Sequence, residues 1–129
     1  MDQILARLNA CSQLSLHKLV QEDDGPLRLT VEIYEAAKVI ETYELRWEDY
    51  VAYTVTHDNY TPEDNAIRGN EIGYFRGGPS DFMDFIQQSK SQLFDIDDRL
   101  LTSWILTTFT RYVNVVSYSP VDVILVECR

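Results

Sequence analysis

The chain has very little of what reactive centres are made from. Its 129 residues include two histidines and two cysteines, at positions 11, 17, 57 and 128, and that scatter has neither the clustering nor the finger spacing of a zinc site. Two isolated thiols in a chain without a secretion signal are read as reduced, not bridged. Glycine is scarce, at five residues; neither GxGxxG nor a GxxxxGK phosphate loop occurs, and Gly73, Gly77 and Gly78 read as a strand end and a turn before a helix. Long apolar runs are also missing. None approaches the ~20 residues that span a bilayer, and Arg7, His17 and Lys18 interrupt the apolar positions of the first twenty residues, so no signal peptide is read and a cytoplasmic location is expected. Positive charge is the last shortage. Eleven Lys and Arg stand against 21 Asp and Glu, a net charge of -10, which repels phosphate backbones and anionic lipid and argues against nucleic acid and membrane as partners.

What is present is a compact acidic body. A length of 129 residues supports one domain over 1–129, burying roughly two-thirds of its unfolded surface without a metal or disulfide staple. The 12% aromatic share, with eight Tyr, leans toward strands and contact surfaces. The charge is uneven: residues 1–64 hold 13 acidic against 5 basic side chains, a net of -8, and residues 65–129 hold 8 against 6, a net of -2. The complement of such a field is a basic surface.

Along the chain, Asp2 can cap a short helix with Ile4, Leu5, Leu8 and Cys11 on one face. Leu14, Leu16 and Leu19 suggest an extended segment, and Gln21 to Pro26 a solvated acidic turn. Strict alternation from Leu27 to Tyr34 predicts a strand with Leu27, Leu29, Val31 and Ile33 inward. Glu35-Ala36-Ala37-Lys38 is the hairpin link, without the Asn-Gly or Asp-Gly pair of a tight primed turn. A second strand follows over Val39–Trp47, on which Glu41 is a misfit among apolar neighbours, and a third over Tyr50–Thr56 with Val51, Tyr53 and Val55 on one face. Three such runs read as an antiparallel meander. Glu71–Arg76 is a fourth candidate strand, and Ser80 caps a helix whose apolar face is Phe82, Phe85 and Ile86. Residues 92–109 read as a helical turn passing into a strand, Arg111–Tyr118 as a strand, and Val121–Val126 as a strand buried on both faces. The expected class is α+β: a meander-based antiparallel sheet of about five to six strands with two to three helices packed on one face.

Candidate chemistry is thin. His57-Asp58 with Tyr60 and Glu63 is the nearest approach to an acid–base group, yet neighbours on an extended chain point apart, and a solvated loop is the preferred reading. Asp95-Ile96-Asp97-Asp98 resembles the start of a calcium loop but has Leu100 and Leu106 where the loop needs Gly and Glu. No catalytic residue, metal site or cofactor is therefore assigned. Aromatics beside carboxylates, as at Trp47, Tyr50 and Tyr53 with Glu44, Glu48 and Asp49, are what captures Arg or Lys. The candidate partner-binding set is Glu22, Asp23, Asp24, Glu44, Glu48, Asp49, Tyr50, Asp58, Glu63 and Asp64.

The run Tyr43-Glu44-Leu45-Arg46-Trp47-Glu48-Asp49-Tyr50-Val51-Ala52-Tyr53-Thr54-Val55-Thr56, the Asp81–Ile86 helix, and Arg111–Val115 leading to Val121–Ile124 resemble a group of small, uncharacterised acidic bacterial proteins of immunity-protein type. That resemblance implies a non-enzymatic inhibitor that masks a basic toxin or similar basic protein. Two other expectations stand beside it: a small-molecule-binding or enzymatic α+β domain with a pocket near Trp47, Tyr53 and His57, and a homodimer joined through an exposed sheet edge.

Overall fold

The computed structural model describes residues 2–11, 13–57, 75–77, 80–88, 101–108 and 111–128. It contains α1 (Asp2–Ala10), β1 (Gln13–Gln21), β2 (Leu27–Glu35), β3 (Lys38–Trp47), β4 (Tyr50–His57), β5 (Phe75–Gly77), α2 (Asp81–Gln88), β6 (Thr102–Thr107), β7 (Arg111–Ser117) and β8 (Val121–Cys128). The strands form two antiparallel four-stranded sheets, ordered β1-β2-β3-β8 and β4-β7-β6-β5.

β2 shows why this sequence makes a layered body. Its inward residues Leu27, Leu29, Val31 and Ile33 are buried and the intervening ones are not, so one face of the first sheet demands a cover. The second sheet supplies it. Leu45 and Trp47 from β3 meet Leu106 from β6 and Val113 and Val115 from β7 in one cluster, joined by Leu8 from α1 and Cys11 just after it. Each fully buried Leu or Val in it contributes about 2 kcal/mol. α1 leads into β1 at Gln13, which pairs with Tyr34, so the helix closes the core at the end remote from Trp47.

The expected α+β class is overturned. Among the described residues both helices are short, at nine and eight residues, and what covers the apolar face of the first sheet is a second sheet. The meander stops at β3. The Glu48-Asp49 link does not fold β4 back onto β3; it turns a corner and sends β4 into the other sheet, where it pairs with β7. The Ser119-Pro120 link does the same for β7 and β8. The two corners are tied together: the Asp49 carbonyl accepts from the Tyr118 N–H at 3.0 Å and the Ser117 hydroxyl at 2.9 Å, and the Asp49 N–H donates to Ser119 Oγ at 3.0 Å.

Other expectations change for local reasons. Register shifts make Ile40 an extra residue on β3 and Val51 an extra residue on β4, and a bulge of this kind breaks simple alternation. Tyr53 therefore packs on the core while Val51 is exposed. Val121–Val126 is not a doubly buried strand, because β8 lies at a sheet edge; the strand covered on both faces is β7, which sits inside its sheet. Thr102–Thr107 is a strand, as the end of the 92–109 reading had it, and residues 89–100 lie outside the described residues. Ser80 caps α2 through a bond from the Met83 N–H at 3.0 Å, but Phe85 is exposed, and Phe82, Met83 and Ile86 are half-buried. Beneath that helix runs a buried polar chain: Ser80 Oγ lies 2.9 Å from Ser103 Oγ, which accepts from Asn114 Nδ2 at 2.8 Å.

The β2–β3 link has primed-turn geometry without primed-turn residues. Ala36 has φ 51° and Ala37 φ 64°, a left-handed conformation that costs an L residue roughly 1 kcal/mol or more.

Candidate functional site

The corner that joins the sheets is also where the acidic residues gather. Leu27 pairs with Trp47, so the turn before β2 lies against the link after β3, and the two segments frame a groove of about 350 Å³ lined by Asp24, Gly25, Glu48, Asp49, Tyr50 and Val51. Among the described residues three carboxylates and one phenol line it, with Glu48 also paired to Arg46. Backbone geometry holds the rim: the Gly25 N–H donates to the Glu22 carbonyl at 3.1 Å, with Asp24 at φ 58°. The Tyr50 ring lies 6.0 Å from that of Tyr53, inclined at 59°, and the Tyr53 hydroxyl donates to Gln21 Oε1 at 2.7 Å. That bond links β4 to β1 beside the groove.

Glu48 also serves a second depression. A groove of about 370 Å³ is lined by Arg46, Glu48, Val121, Asp122, Val123 and Ile124. Here Arg46 Nε lies 2.7 Å from Glu48 Oε1, and Asp122 pairs across the ladder with Arg46. The guanidinium among these lining residues is therefore paired with Glu48, across the ladder from Asp122.

The structure divides the sequence-derived set. Asp24, Glu48, Asp49 and Tyr50 line one groove, whereas Glu22 and Asp23 are exposed in the turn before it and do not line it. Glu44 is elsewhere, opposite Ile124 on the outer face of the first sheet. Asp58, Glu63 and Asp64 lie outside the described residues, as do Tyr60 and Asp95–Asp98. Asp122 was missed; its sequence signal is weak, since a single acid in an apolar run reads as an outward position on a strand.

The pocket expected near Trp47, Tyr53 and His57 does not bring those residues together. Trp47 is fully buried in the core, Tyr53 leans on the core with its hydroxyl engaged by Gln21, and His57 is exposed at the far end of β4. Both cysteines are free, Cys11 buried and Cys128 exposed. Among the described residues no group of three His, Cys, Asp or Glu side chains could hold a metal ion, and no helix is long and apolar enough to cross a membrane.

The misfit Glu41 has a structural answer. It faces Ile33 on the core side of β3, and there Arg7 Nε donates to its Oε1 at 2.7 Å and the Tyr43 hydroxyl to its Oε2 at 2.5 Å. The Tyr43 bond, and then Arg7, hold the Glu41 carboxyl below its ordinary range against the opposing effect of burial. Burial and the same bond push Tyr43 up to about 12, and burial pushes the Cys11 thiol up. This cluster ties α1 to β3 at the α1 end of the core.

Comparison with known proteins identifies no relative: no family model, curated protein or solved structure matches the chain.

Proposed function

We propose that the chain is a non-enzymatic binding protein for a basic protein, acting as an immunity-type inhibitor that masks a toxin domain or similar cationic surface. The observation that carries the reading is the corner groove, with Asp24, Glu48 and Asp49 around it, Tyr50 in its wall and no cation among the described residues that line it. A groove of this volume admits one or two Lys or Arg side chains, whose heads meet carboxylates while their stems lie on the phenol ring. The net charge of -10 extends the field and speeds encounter with a cationic partner.

The test is capture from native extract on immobilised chain, compared with Asp24→Asn/Glu48→Gln/Asp49→Asn. These exchanges keep side-chain shape, and the lost Arg46–Glu48 pair is exposed and worth at most about 1 kcal/mol. The retained protein is expected to be basic, to elute as salt rises from about 50 to about 300 mM, and to bind the neutralised variant about tenfold or more weakly. An acidic partner, or capture indifferent to both salt and substitution, refutes the proposal.

A further inference from the structure

β8 is an edge guarded by acids alone at its Asp122 end. It is the terminal strand of its sheet and pairs with β3 alone among the described strands. An edge strand turns about half its N–H and C=O groups outward, and proteins that stay unpaired blunt such edges with lysine, proline or short length. β8 lacks these three defences, running for eight residues, VDVILVEC, without a basic residue or a proline; its guards are the acids Asp122 and Glu127 and a register shift against β3 that makes Val126 an extra residue, and an acidic edge repels anionic strands but not a cationic one. Three successive apolar residues are open on it, Ile124 at 46%, Leu125 at 47% and Val126 at 59% exposure. Because consecutive strand residues point to opposite faces, apolar area is available on both sides of the edge. The acidic side chains stand at intervals beside this area: Asp122 on the strand, Glu44 opposite Ile124, and Glu48 in the groove that Ile124 and Val123 line.

We propose that β8 is the docking strand for an extended segment of the basic partner, one in which Lys or Arg alternates with apolar residues. The segment's backbone continues the sheet beyond β8, its cations lie on the face that Ile124 shares with Asp122 and Glu44, and its apolar side chains cover Leu125 on the opposite face. Strand addition of this kind takes affinity from main-chain hydrogen bonds and specificity from alternate side chains. The occupant is chosen by charge. Two copies of β8 paired about the midpoint of Ile124 and Leu125 would set Asp122 directly against Glu127, and like charges opposite each other destabilise a ladder; two bodies of charge -10 add to that repulsion. The proposal rests on the reading that the partner is basic and adds the manner of its binding.

The probe is a capped, fluorescein-labelled octapeptide alternating Val and Lys, titrated with the full chain by anisotropy at about 50 mM salt. Three further peptides decide the mechanism: one N-methylated at its four central amides, one with Glu for every Lys, and one of the same composition with the Lys grouped at one end. Strand addition predicts that N-methylation and the Glu exchange each weaken binding at least about tenfold, that grouping the Lys weakens it too, and that Ile124→Lys in the protein, checked for an unchanged melting temperature, does the same. Should Ile124→Lys not fold, the N-methylated peptide carries the test alone. Equal binding of the N-methylated and parent peptides overturns strand addition while leaving the charge reading standing, and equal binding of the Glu peptide overturns both. Failure of every peptide to bind overturns the proposal, and capture of a basic protein by the corner groove then decides the broader reading separately. A dimer seen by light scattering and lost in Ile124→Lys assigns the edge to a second copy and overturns it as well.

Discussion

The Tyr43 hydroxyl is the most exacting test of the physical account, because one proton bonds two groups whose titrations lie on opposite sides of neutrality. Tyr43 is 4% exposed and donates to Glu41, which Arg7 also holds. Tyr43→Phe removes the donor and leaves a half-buried carboxylate one bond short; a hydrogen bond to a charged group is worth about 2 kcal/mol, so the variant is expected to be less stable by about that much at pH 7. The pH dependence carries the sharper signature. A tyrosine raised from its ordinary 10 to about 12 on folding binds its proton more tightly in the native state. Its contribution is therefore whole below pH 10 and is lost as pH climbs to 12, a fall of about 3 kcal/mol. Tyr43→Phe has no such proton, and the difference between the two proteins should shrink toward zero across that window. At the acid end the sign is opposite: Glu41 is held below its ordinary value, so its share of stability is present above about pH 4.5 and is lost as pH falls through the lowered native value. Urea unfolding of both proteins from pH 3 to pH 12 is the assay, with the other seven tyrosines common to both and cancelling in the difference. Parallel stability curves across pH 10 to 12, or a Phe variant as stable as wild type at pH 7, would refute the reasoning.

Two further outcomes follow from local geometry. Ala36→Asn/Ala37→Gly suits the left-handed φ values of the β2–β3 turn and should raise stability by about 1 kcal/mol, or a few degrees in melting temperature by circular dichroism; an unchanged or lower midpoint would count against that turn geometry. Ser80→Ala removes both the cap on Met83 and the link to Ser103, costing about 1–2 kcal/mol. Because no residue of α2 is buried, the loss should appear chiefly as faster amide exchange within that helix; uniform acceleration across β2 and β7 would contradict it.

What could be read from the sequence was whatever depends on neighbours along the chain. Alternation placed β2 from Leu27 to within a residue of its end, Ser80 announced the start of α2, and Glu41 was recognisable as a misfit. What depends on which strand a strand pairs with was not legible. Glu48-Asp49 looks like a hairpin link because it is two residues long; only Ser117, Tyr118 and Ser119, some 70 positions away, provide the bonds that make it a corner. The apolar run of β8 suggested burial, yet composition cannot distinguish an inner strand from an edge. Similarly, carboxylates could be grouped by position in the chain, which joined Glu44 to Glu48, whereas the fold joins Glu48 to Asp24 and adds Asp122.

The knot of bonds around Asp49 has a consequence for how the molecule comes to be. The β2–β3 hairpin brings Asp24 beside Asp49, but the bonds that fix Asp49 come from Ser117, Tyr118 and Ser119, so the acidic recess takes its final form only after distant parts of the polypeptide have met, an event slowed by their separation in the chain. A nascent or partly melted molecule would carry the same charge without the recess, which only a completed molecule offers.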